Sequence, residues 1–570
     1  MAETKKFNAL LFDTRSIQRY IYSGNLLRTN IGASYIVDRL FFDVLVKDIL
    51  KISEAEDTTW EISEDEKKSW RNIKNCCVGY IGGGNALILF DATQEDKRRE
   101  VVQNFSMKLL ENFPGLKIGV AFGELNITGD DLVDAENKAL RRTLKENQNF
   151  VFPAVNVPYT GLTLSCEING EAANFCDKNF LVRPKEETNN EIRFYSQETA
   201  VKANFYKQAN ENLKTRFNKI FELKKSSERM ENFEFPTKVD KLGQKKGENY
   251  FAIVHVDGNN MGVKLRDYQN NLFEFRRISR EIRRKTEGAF ADLLLKIIAA
   301  KKENFFDDDL KFENEKFLPI RPLILGGDDV TFICPANMAI LFTKTLMESL
   351  NAETPLNTAE SLTQKVSRKM DCCAGIAILP TAYPFFRGYQ LTEQLCDAAK
   401  KSMRELFQKT SEGSSWLDFA ILHGEQAPTL EQIRKREYTG ARGNLHFGPY
   451  QIGNSNAKHK SERYNNIENL ISCIEQFLKS KSENPSPETI SHGKIKELRD
   501  VLQHGESETK KFLDQLKLQG KKFPYVEDWA DYIQNALWSA EIKPRTPYVD
   551  AIELMDFYSQ GVAEKWQSLT

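Results

Sequence analysis

Three aspartates carry the strongest chemical signal in the sequence. Asp328 and Asp329 follow Gly326 and Gly327 at a turn between two apolar runs, and Asp257 ends another apolar run upstream. Glycines permit a tight hairpin, so the two carboxylates would lie at or beside its tip. If the strand ending at Asp257 lies next to this hairpin, three acidic side chains converge and repel one another unless a divalent cation is bound. Oxygen-only ligands favour Mg²⁺ or Mn²⁺, and two such ions can activate a hydroxyl and hold a triphosphate.

The same turn also has a simpler interpretation. Glycine and aspartate are favoured at hairpins for backbone reasons alone, so a Gly-Gly-Asp-Asp turn by itself requires no chemistry. The surrounding sequence favours the metal site, because it contains an internal repeat. One apolar strand ends at Asp13 as the other ends at Asp257, and 69 residues separate each aspartate from the first turn glycine, Gly82 or Gly326.

Each copy of the repeat carries the elements of one α+β domain. Apolar residues recur at three- and four-residue steps between the first strand and the hairpin, which is typical of helices. The order strand, helices, hairpin, helices, strand, helix predicts a ferredoxin-like palm in each copy. The predicted domains are a first palm over 1–160, a helical connector over 161–245, a second palm over 246–422 and an all-α C-terminal domain over 423–570.

Composition and charge exclude several classes of function. The chain has 570 residues with 80 basic and 81 acidic side chains, so no overall positive field indicates binding to nucleic acid or membranes. We find no run of about 18 apolar residues and no secretory leader, and we expect a cytoplasmic protein without a membrane segment. Nine cysteines without a Cys-x-x-Cys motif fit neither a disulfide framework nor a zinc ribbon.

One local exception to the neutral charge balance lies on a predicted helix. Six basic residues fall within ten positions there, with Glu281 as the one acid among them: Arg276, Arg277, Arg280, Arg283, Arg284 and Lys285. Such a run can follow RNA or nucleotide phosphates, although a solvated helix face is its commoner meaning. The sequence leaves both interpretations open.

These motifs resemble those of a known family, the large palm-domain subunit of type III CRISPR effector complexes, whose members are nucleotidyl cyclases or polymerases. The turn at 326–329 is similar to the family's Gly-Gly-Asp-Asp hairpin, and 257–262 resembles its strand-end motif Asp-x-Asp-x-Met-Gly. The Asp-Ala-Ala-Lys segment at 397–400 is similar to the helix after the family's third strand. Residues 416–419 resemble the segment that closes the palm, and 550–557 resemble the final helix of the C-terminal domain.

The resemblance implies a set of site residues and a reaction. Three catalytic carboxylates, Asp257, Asp328 and Asp329, would hold two Mg²⁺ or Mn²⁺ ions. The implied nucleotide-binding residues are Gly258, Asn259, Asn260, Met261, Gly262, Gly326, Gly327 and Lys400, the last of which would contact phosphates. The implied reaction converts ATP into cyclic oligoadenylate second messengers and releases pyrophosphate, in antiviral defence of the type III CRISPR kind. Guide or target RNA and other effector subunits are the implied partners.

The sequence departs from the family's pattern in three ways. Asn259 stands where the family has a second strand-end carboxylate, so one negative charge is lost. The first copy has Gly84 and Asn85 where the second has Asp328 and Asp329, so it should not hold two metals. It would either supply part of a composite nucleotide pocket or serve as a structural palm. None of the six histidines is followed by aspartate, so we do not expect DNA cleavage by an amino-terminal His-Asp nuclease domain.

Two other functions stay open. A catalytically silent scaffold would hold guide RNA and the smaller subunits of an interference complex, and Asn259 favours it slightly. A diguanylate cyclase of the Gly-Gly-Asp/Glu-Glu-Phe type fits less well, because Val330 and Thr331 follow the acidic pair instead of phenylalanine. Heat stabilisation by ATP together with a metal would argue against the scaffold, and GTP-selective turnover would favour the diguanylate cyclase.

Overall fold

A computed structural model describes most of the chain. The described residues are 4–52, 76–129, 131–148, 160–244, 249–266, 268–353, 369–410, 413–424, 428–453, 464–482, 485–540 and 542–569. No helix within these ranges is long and apolar enough to cross a membrane. Two palms, each built on a mainly antiparallel sheet, confirm the predicted α+β fold.

The first palm has a five-stranded antiparallel sheet. Its strands are β1 (Thr4–Arg15), β2 (Cys76–Gly82), β3 (Asn85–Asp91), β4 (Lys117–Thr128) and β5 (Asp131–Leu132). Its helices are α1 (Ile17–Tyr22), α2 (Leu27–Arg39), α3 (Glu95–Asn112) and α4 (Asp134–Gln148), and a π-helical stretch, Leu40–Ile49, continues α2. The strand order β2-β3-β1-β4-β5 makes β1 the central strand. Its continuous apolar run is buried on both faces, with Phe12 packed edge-on against Phe105 of α3.

The connector between the palms is helical only in its second half. It contains two short paired strands, β6 (Phe175–Asp177) and β7 (Arg193–Tyr195), followed by α5 (Gln197–Asn204) and α6 (Tyr206–Leu223). This differs from the predicted helical connector. Residues with positive φ, including Gly170, Asn189 and Asn190, interrupt the backbone before Ser196, and the helical structure there is a single 3₁₀ turn, Lys185–Glu187. Ser196 then caps α5, because its side chain accepts a hydrogen bond from the Thr199 amide.

The second palm has a six-stranded sheet around a central strand, β8. Its strands are β8 (Tyr250–Gly258), β9 (Arg321–Gly326), β10 (Asp329–Pro335), β11 (Cys372–Pro380), β12 (Ser415–Ile421) and β13 (Tyr450–Ile452), in the order β13-β12-β11-β8-β10-β9. The β11–β12 pair is parallel and the others are antiparallel. The helices before β12 are α7 (Met261–Arg266), α8 (Leu272–Lys302), α9 (Ala339–Asn351) and α10 (Phe385–Thr410).

The C-terminal region is mostly helical. Its helices are α11 (Leu430–Glu437), α12 (Ile467–Leu478), α13 (His492–His504), α14 (Glu506–Leu518), α15 (Ala530–Gln534), α16 (Tyr548–Leu554) and α17 (Val562–Ser568). The expectation of an all-α domain does not hold for β13, which pairs with β12 and extends the palm sheet. Three residues are too few to show a strand pattern in the sequence, and the pairing partner lies in the preceding domain.

A buried ion cluster ties the C-terminal region to the second palm. His446 places its Nδ1 2.9 Å from Asp550 Oδ1 of α16 and its Nε2 2.9 Å from Asp418 Oδ1 of β12. Arg434 donates to the same Asp418 oxygen at 3.0 Å. Burial and Arg434 oppose the charged imidazole, but Asp550 and Asp418 outweigh them and raise the pKa of His446. The residues that the resemblance singled out at 416–419 and 550–557 therefore contribute to a domain junction.

Candidate active site

Strands β8 and β10 place two of the three predicted aspartates side by side. Asp257 and Asp329 are direct partners across the antiparallel pair, and Asp329 also pairs with Gly326 across the hairpin. The turn is therefore Gly327-Asp328, and Gly327 has a φ of +60°, which L side chains rarely adopt. A Cβ atom at Gly326 or Gly327 would meet nothing within 4 Å, so the space beside the turn is open.

Asp328 lies against the end of β8. The Gly258 amide donates to the Asp328 carbonyl oxygen at 3.2 Å. A Cβ atom at Gly258 would lie 2.8 Å from Asp328 Cβ and 2.9 Å from Met261 Cγ, which is closer than real Cβ contacts allow. The absence of a side chain at Gly258 is thus what lets the hairpin tip approach the strand that carries Asp257.

The fold disfavours the charged forms of the two hairpin carboxyl groups. Burial, reinforced by the neighbouring charge of Asp257, raises the pKa of Asp328 to about 7 and that of Asp329 to about 8. The Oδ1 atom of Asp329 is buried and makes no hydrogen bond. A buried acceptor without a donor is costly, and a cation or a proton would relieve it.

Lys400 supplies the compensating charge for Asp257. It lies on α10, and its ammonium forms an ion pair with the Asp257 carboxylate. In the described part of the chain, no three or more His, Cys, Asp or Glu side chains form a group that could hold a metal ion. The backbone therefore brings the three aspartates together, while in this conformation the Asp257 carboxylate is engaged by Lys400 instead of joining the other two.

The donor set nevertheless fits a hard divalent cation. Asp328 and Asp329 offer carboxylate oxygens, of which Asp329 Oδ1 is buried and without a hydrogen bond. Burial raises the pKa values of both groups, and a bound cation would favour their charged forms. Mg²⁺ and Mn²⁺ prefer such oxygen ligands, and Asp257 would complete the set on leaving Lys400.

Asn259 is held on the other side of β8 from the hairpin. Its Nδ2 donates to the Ser414 carbonyl at 3.0 Å, and its backbone amide donates to the Asp371 carbonyl at 2.8 Å. Both partners belong to the β11–β12 side of the sheet, whereas Asp328 and Asp329 lie on the β10 side. The Oδ1 atom of Asn259 is buried and makes no hydrogen bond. The structure therefore does not bring this side chain to the three aspartates.

The remaining predicted nucleotide-binding residues form the start of α7. Asn260 has a φ of +57° and turns the chain after β8, and the buried Met261 begins the helix. A Cβ atom at Gly262 would meet nothing within 4 Å, so this position faces open space. The turn from β8 into α7 thus lies directly beside the aspartates.

Four side chains near the aspartates are not among the residues predicted for the site. His255 lies two residues before Asp257 on β8, with its Nδ1 3.3 Å from Asp329 Oδ1. Glu393 precedes Lys400 by two helical turns on α10, and its charge contributes to the raised pKa of Asp329. Tyr22 and Tyr389 pack beneath them. The two-residue period of β8 and the seven-residue spacing on α10 are signals that could have identified the first two.

The first palm has the same geometry with different chemistry. Asp13 pairs with Asn85 across β1 and β3, as Asp257 pairs with Asp329. The Gln148 side chain donates to the Asp13 carboxylate, and Asn85 Nδ2 donates to the Gly83 carbonyl at 3.1 Å. Burial raises the pKa of Asp13. With one carboxylate in place of three, this corner lacks the ligands for a two-metal site.

The basic run on α8 is largely engaged within the protein. Arg283 lies 3.2 Å from Asp38 and 2.7 Å from Glu287, and Arg284 lies 3.3 Å from Glu281. Arg277 approaches Glu274 at 3.7 Å, and Arg276 is buried. These contacts favour an ion-paired helix face over a surface that follows nucleic-acid phosphates.

One known protein family matches the part of the chain that contains this site. Residues 250–407, from β8 through most of α10, are the matched stretch. They match the family model described as Cas10/Cmr2, second palm domain. This stretch includes all eleven residues predicted for the site. No curated protein sequence matches the chain.

Solved structures of Csm1 and Cmr proteins are similar to this chain at low identity. The apo Csm1–Csm4 cassette has a TM-score of 0.45 at 12% identity, with 97% of this chain and 70% of that chain covered. Csm1 from T. onnurineus has a TM-score of 0.44 at 13% identity, covering 98% and 70%. A type III-B Cmr-β structure in its apo state has a TM-score of 0.41 at 10% identity, covering 98% and 82%.

Proposed function

We propose that the second palm is a metal-dependent nucleotidyltransferase that converts ATP into cyclic oligoadenylate second messengers in type III CRISPR-type antiviral defence. The observation that carries this proposal is the cross-strand pair of Asp257 and Asp329 beside an open Gly-Gly turn. The pKa values of Asp328 and Asp329 are raised there, and Lys400 forms an ion pair with Asp257 at the same corner. The matched second-palm family model covers this stretch and supports the assignment.

Three carboxylates would hold the metal ions. Asp328 and Asp329 would be the first ligands, and Asp257 would join them on releasing Lys400. Bound Mg²⁺ or Mn²⁺ lowers the pKa of an attacking hydroxyl and neutralises a triphosphate. Two ions fit the chemistry of in-line nucleotidyl transfer.

The other residues would bind and orient the nucleotide. Gly326 and Gly327 have no side chains in the open space beside the turn, so a triphosphate can approach their backbone. Lys400, released from Asp257, would bind phosphate oxygens as a point charge. The ribose hydroxyl oxygen of one nucleotide attacks the α-phosphorus of the next, the bond to pyrophosphate breaks, and the hydroxyl proton passes to solvent.

The proposed partners are those of an effector complex. Similar solved structures contain Csm1 together with Csm4, in complex with AMPPNP or with cA3 or cA4. We propose that this chain likewise acts with other effector subunits and with guide or target RNA. Charge pairing on α8 argues that this helix is not the RNA surface.

A catalytically silent scaffold is the second candidate. The ion pair between Lys400 and Asp257, and the lack of a preformed three-ligand group among the described residues, favour it. In a scaffold, Lys400 would be a permanent structural partner of Asp257, and neither ATP nor Mn²⁺ would have a site in the second palm.

Turnover of ATP or GTP with Mn²⁺, followed by mass spectrometry, tests these alternatives. The test variant is Asp328→Asn with Asp329→Asn, which removes charge and keeps shape. The matched control is Asp13→Asn at the equivalent strand end of the first palm. Cyclic adenylates made by the wild type and the control, but lost in the double variant, support the proposal. Products from GTP alone would indicate a diguanylate-type cyclase. No product, with or without target RNA, would favour the scaffold.

A further inference from the structure

A tyrosine from the first palm is built into the second palm beneath the aspartates. Tyr22, the last residue of α1, is fully buried and stacks on Tyr389 of α10 with ring centroids 4.2 Å apart. It also stacks on Phe385 at 5.7 Å. The Phe385 amide donates to the Asn25 side-chain oxygen at 3.1 Å, a second contact between the same two segments. The first palm therefore supports the start of α10 with both an aromatic stack and a hydrogen bond.

The stack continues to the hairpin through His255. The His255 ring meets Tyr389 edge-on, with centroids 5.6 Å apart. Its Nδ1 atom lies 3.2 Å from Thr331 Oγ1 and 3.3 Å from Asp329 Oδ1. His255 and Thr331 face each other across the β8–β10 pair and are both buried. One ring nitrogen thus lies between a threonine hydroxyl and the carboxylate oxygen that has no hydrogen bond.

We propose that His255 is a positioning residue that fixes the carboxylate of Asp329, and that Tyr22 of the first palm holds His255 in place through Tyr389. This inference deepens the proposed function and rests on it. Nδ1–H of His255 is the donor within reach of Asp329 Oδ1, and a small ring rotation converts the 3.3 Å approach into a hydrogen bond. The first palm then supports one metal ligand of the second palm, Asp329, whether or not a nucleotide binds at the turn of the first palm.

The rotational freedom of a carboxylate ligand affects how tightly it binds a metal. An aspartate without a hydrogen bond can rotate about its side-chain torsions, and a metal site loses affinity when its ligands are not held. His255 can restrain Asp329 only while its own ring is restrained. Tyr389 supplies one wall of the His255 environment, and Tyr22 backs Tyr389 from the other palm.

Two pairs of variants separate positioning from packing. His255→Asn keeps a donor near the Nδ1 position, whereas His255→Phe keeps the ring and loses the donor. Tyr22→Phe keeps the stack on Tyr389, whereas Tyr22→Leu removes it. The readout is the affinity of the full chain for Mn²⁺ by titration calorimetry without nucleotide. Urea unfolding of each variant verifies that it is folded.

We expect His255→Phe to weaken Mn²⁺ binding by about 10- to 100-fold, as loss of an outer-shell partner does. His255→Asn should stay within about threefold of the wild type on the same grounds. Tyr22→Leu should weaken binding by about tenfold and Tyr22→Phe by much less. If His255→Phe binds as well as His255→Asn, or Tyr22→Leu as well as Tyr22→Phe, the inference is overturned. A wild type that binds no Mn²⁺ would contradict the proposed function itself, and the inference with it.

Discussion

Removing the charge of Asp329 should stabilise the protein at alkaline pH. Burial raises the pKa of this carboxyl from 3.8 to about 8, so the folded protein retains a proton that the unfolded chain loses near pH 4. Because the folded state binds more protons between these values, the free energy of unfolding falls as pH rises from about 4 to about 8. Asp329→Asn lacks this titration, and its stability relative to the wild type should therefore increase over that interval.

The magnitude follows from the pKa and the exposure of the side chain. A pKa moved from 3.8 to about 8 corresponds at most to about 6 kcal/mol, at 1.36 kcal/mol per pH unit. The Asp329 side chain is 31% exposed, and water screens a charge in such a place. We therefore expect a gain of about 2 kcal/mol at pH 8.5 and about 0.5 kcal/mol at pH 5, because only about 1 of the roughly 4 pH units between the two pKa values lies below pH 5.

Urea unfolding in EDTA at pH 5, 7 and 8.5 measures this difference. Asp308→Asn, at an exposed position, is the matched control and should track the wild type at every pH. The account of the site fails if Asp329→Asn is no more stable than the wild type at pH 8.5. It also fails if the stability of the variant relative to the wild type is lower at alkaline than at acidic pH, since that sign belongs to a carboxylate whose charge is stabilised by the fold.

Three further changes test other parts of the structure. Gly258→Ala should lower the free energy of unfolding by about 2 kcal/mol in urea, because its Cβ atom would overlap Asp328. The control Gly262→Ala places its Cβ atom in open space and should not lower it. His446→Gln should lower the free energy of unfolding by about 3–5 kcal/mol at pH 6. The loss should be smaller at alkaline pH, because the charged imidazole stabilises the wild type fully below pH 6.5 and this contribution disappears as pH rises through the raised pKa of His446. Lys400→Met should lower the free energy of unfolding in EDTA by about 2 kcal/mol, because it leaves Asp257 without its ion-pair partner. In calorimetry it should weaken the binding of ATP but not of Mn²⁺, and loss of Mn²⁺ binding would contradict a role in phosphate binding.

The position of the aspartates could be predicted from local sequence. One apolar strand ends at Asp257, and Asp328 and Asp329 follow the two glycines of a hairpin turn. These positions specify which residues meet, because a one-residue slip would expose the buried faces. The equal spacing from Asp13 and Asp257 to their turns anticipated the equal registers of the two palms. These features depend on strand pattern and turn chemistry alone.

The orientation of the side chains could not be predicted in this way. The pairing of Lys400 with Asp257 depends on how α10 packs over the sheet, and the anchoring of Asn259 depends on the Ser414 carbonyl from a distant strand. Likewise, the contact of Tyr22 with Tyr389 joins residues more than 360 positions apart. Such contacts arise from tertiary packing, and the periodicity of a sequence does not indicate which distant residues meet.

The most direct test of the proposed site is diffraction from crystals grown with Mn²⁺ and a non-hydrolysable ATP analogue. Anomalous scattering locates manganese without reference to activity. The account predicts manganese at Asp328 and Asp329, with the Lys400 ammonium moved from Asp257 to the phosphates. Crystals grown with Mn²⁺ that contain the bound analogue, but show no manganese at Asp328 and Asp329 and keep the Lys400–Asp257 ion pair, would contradict the proposed site and favour the scaffold.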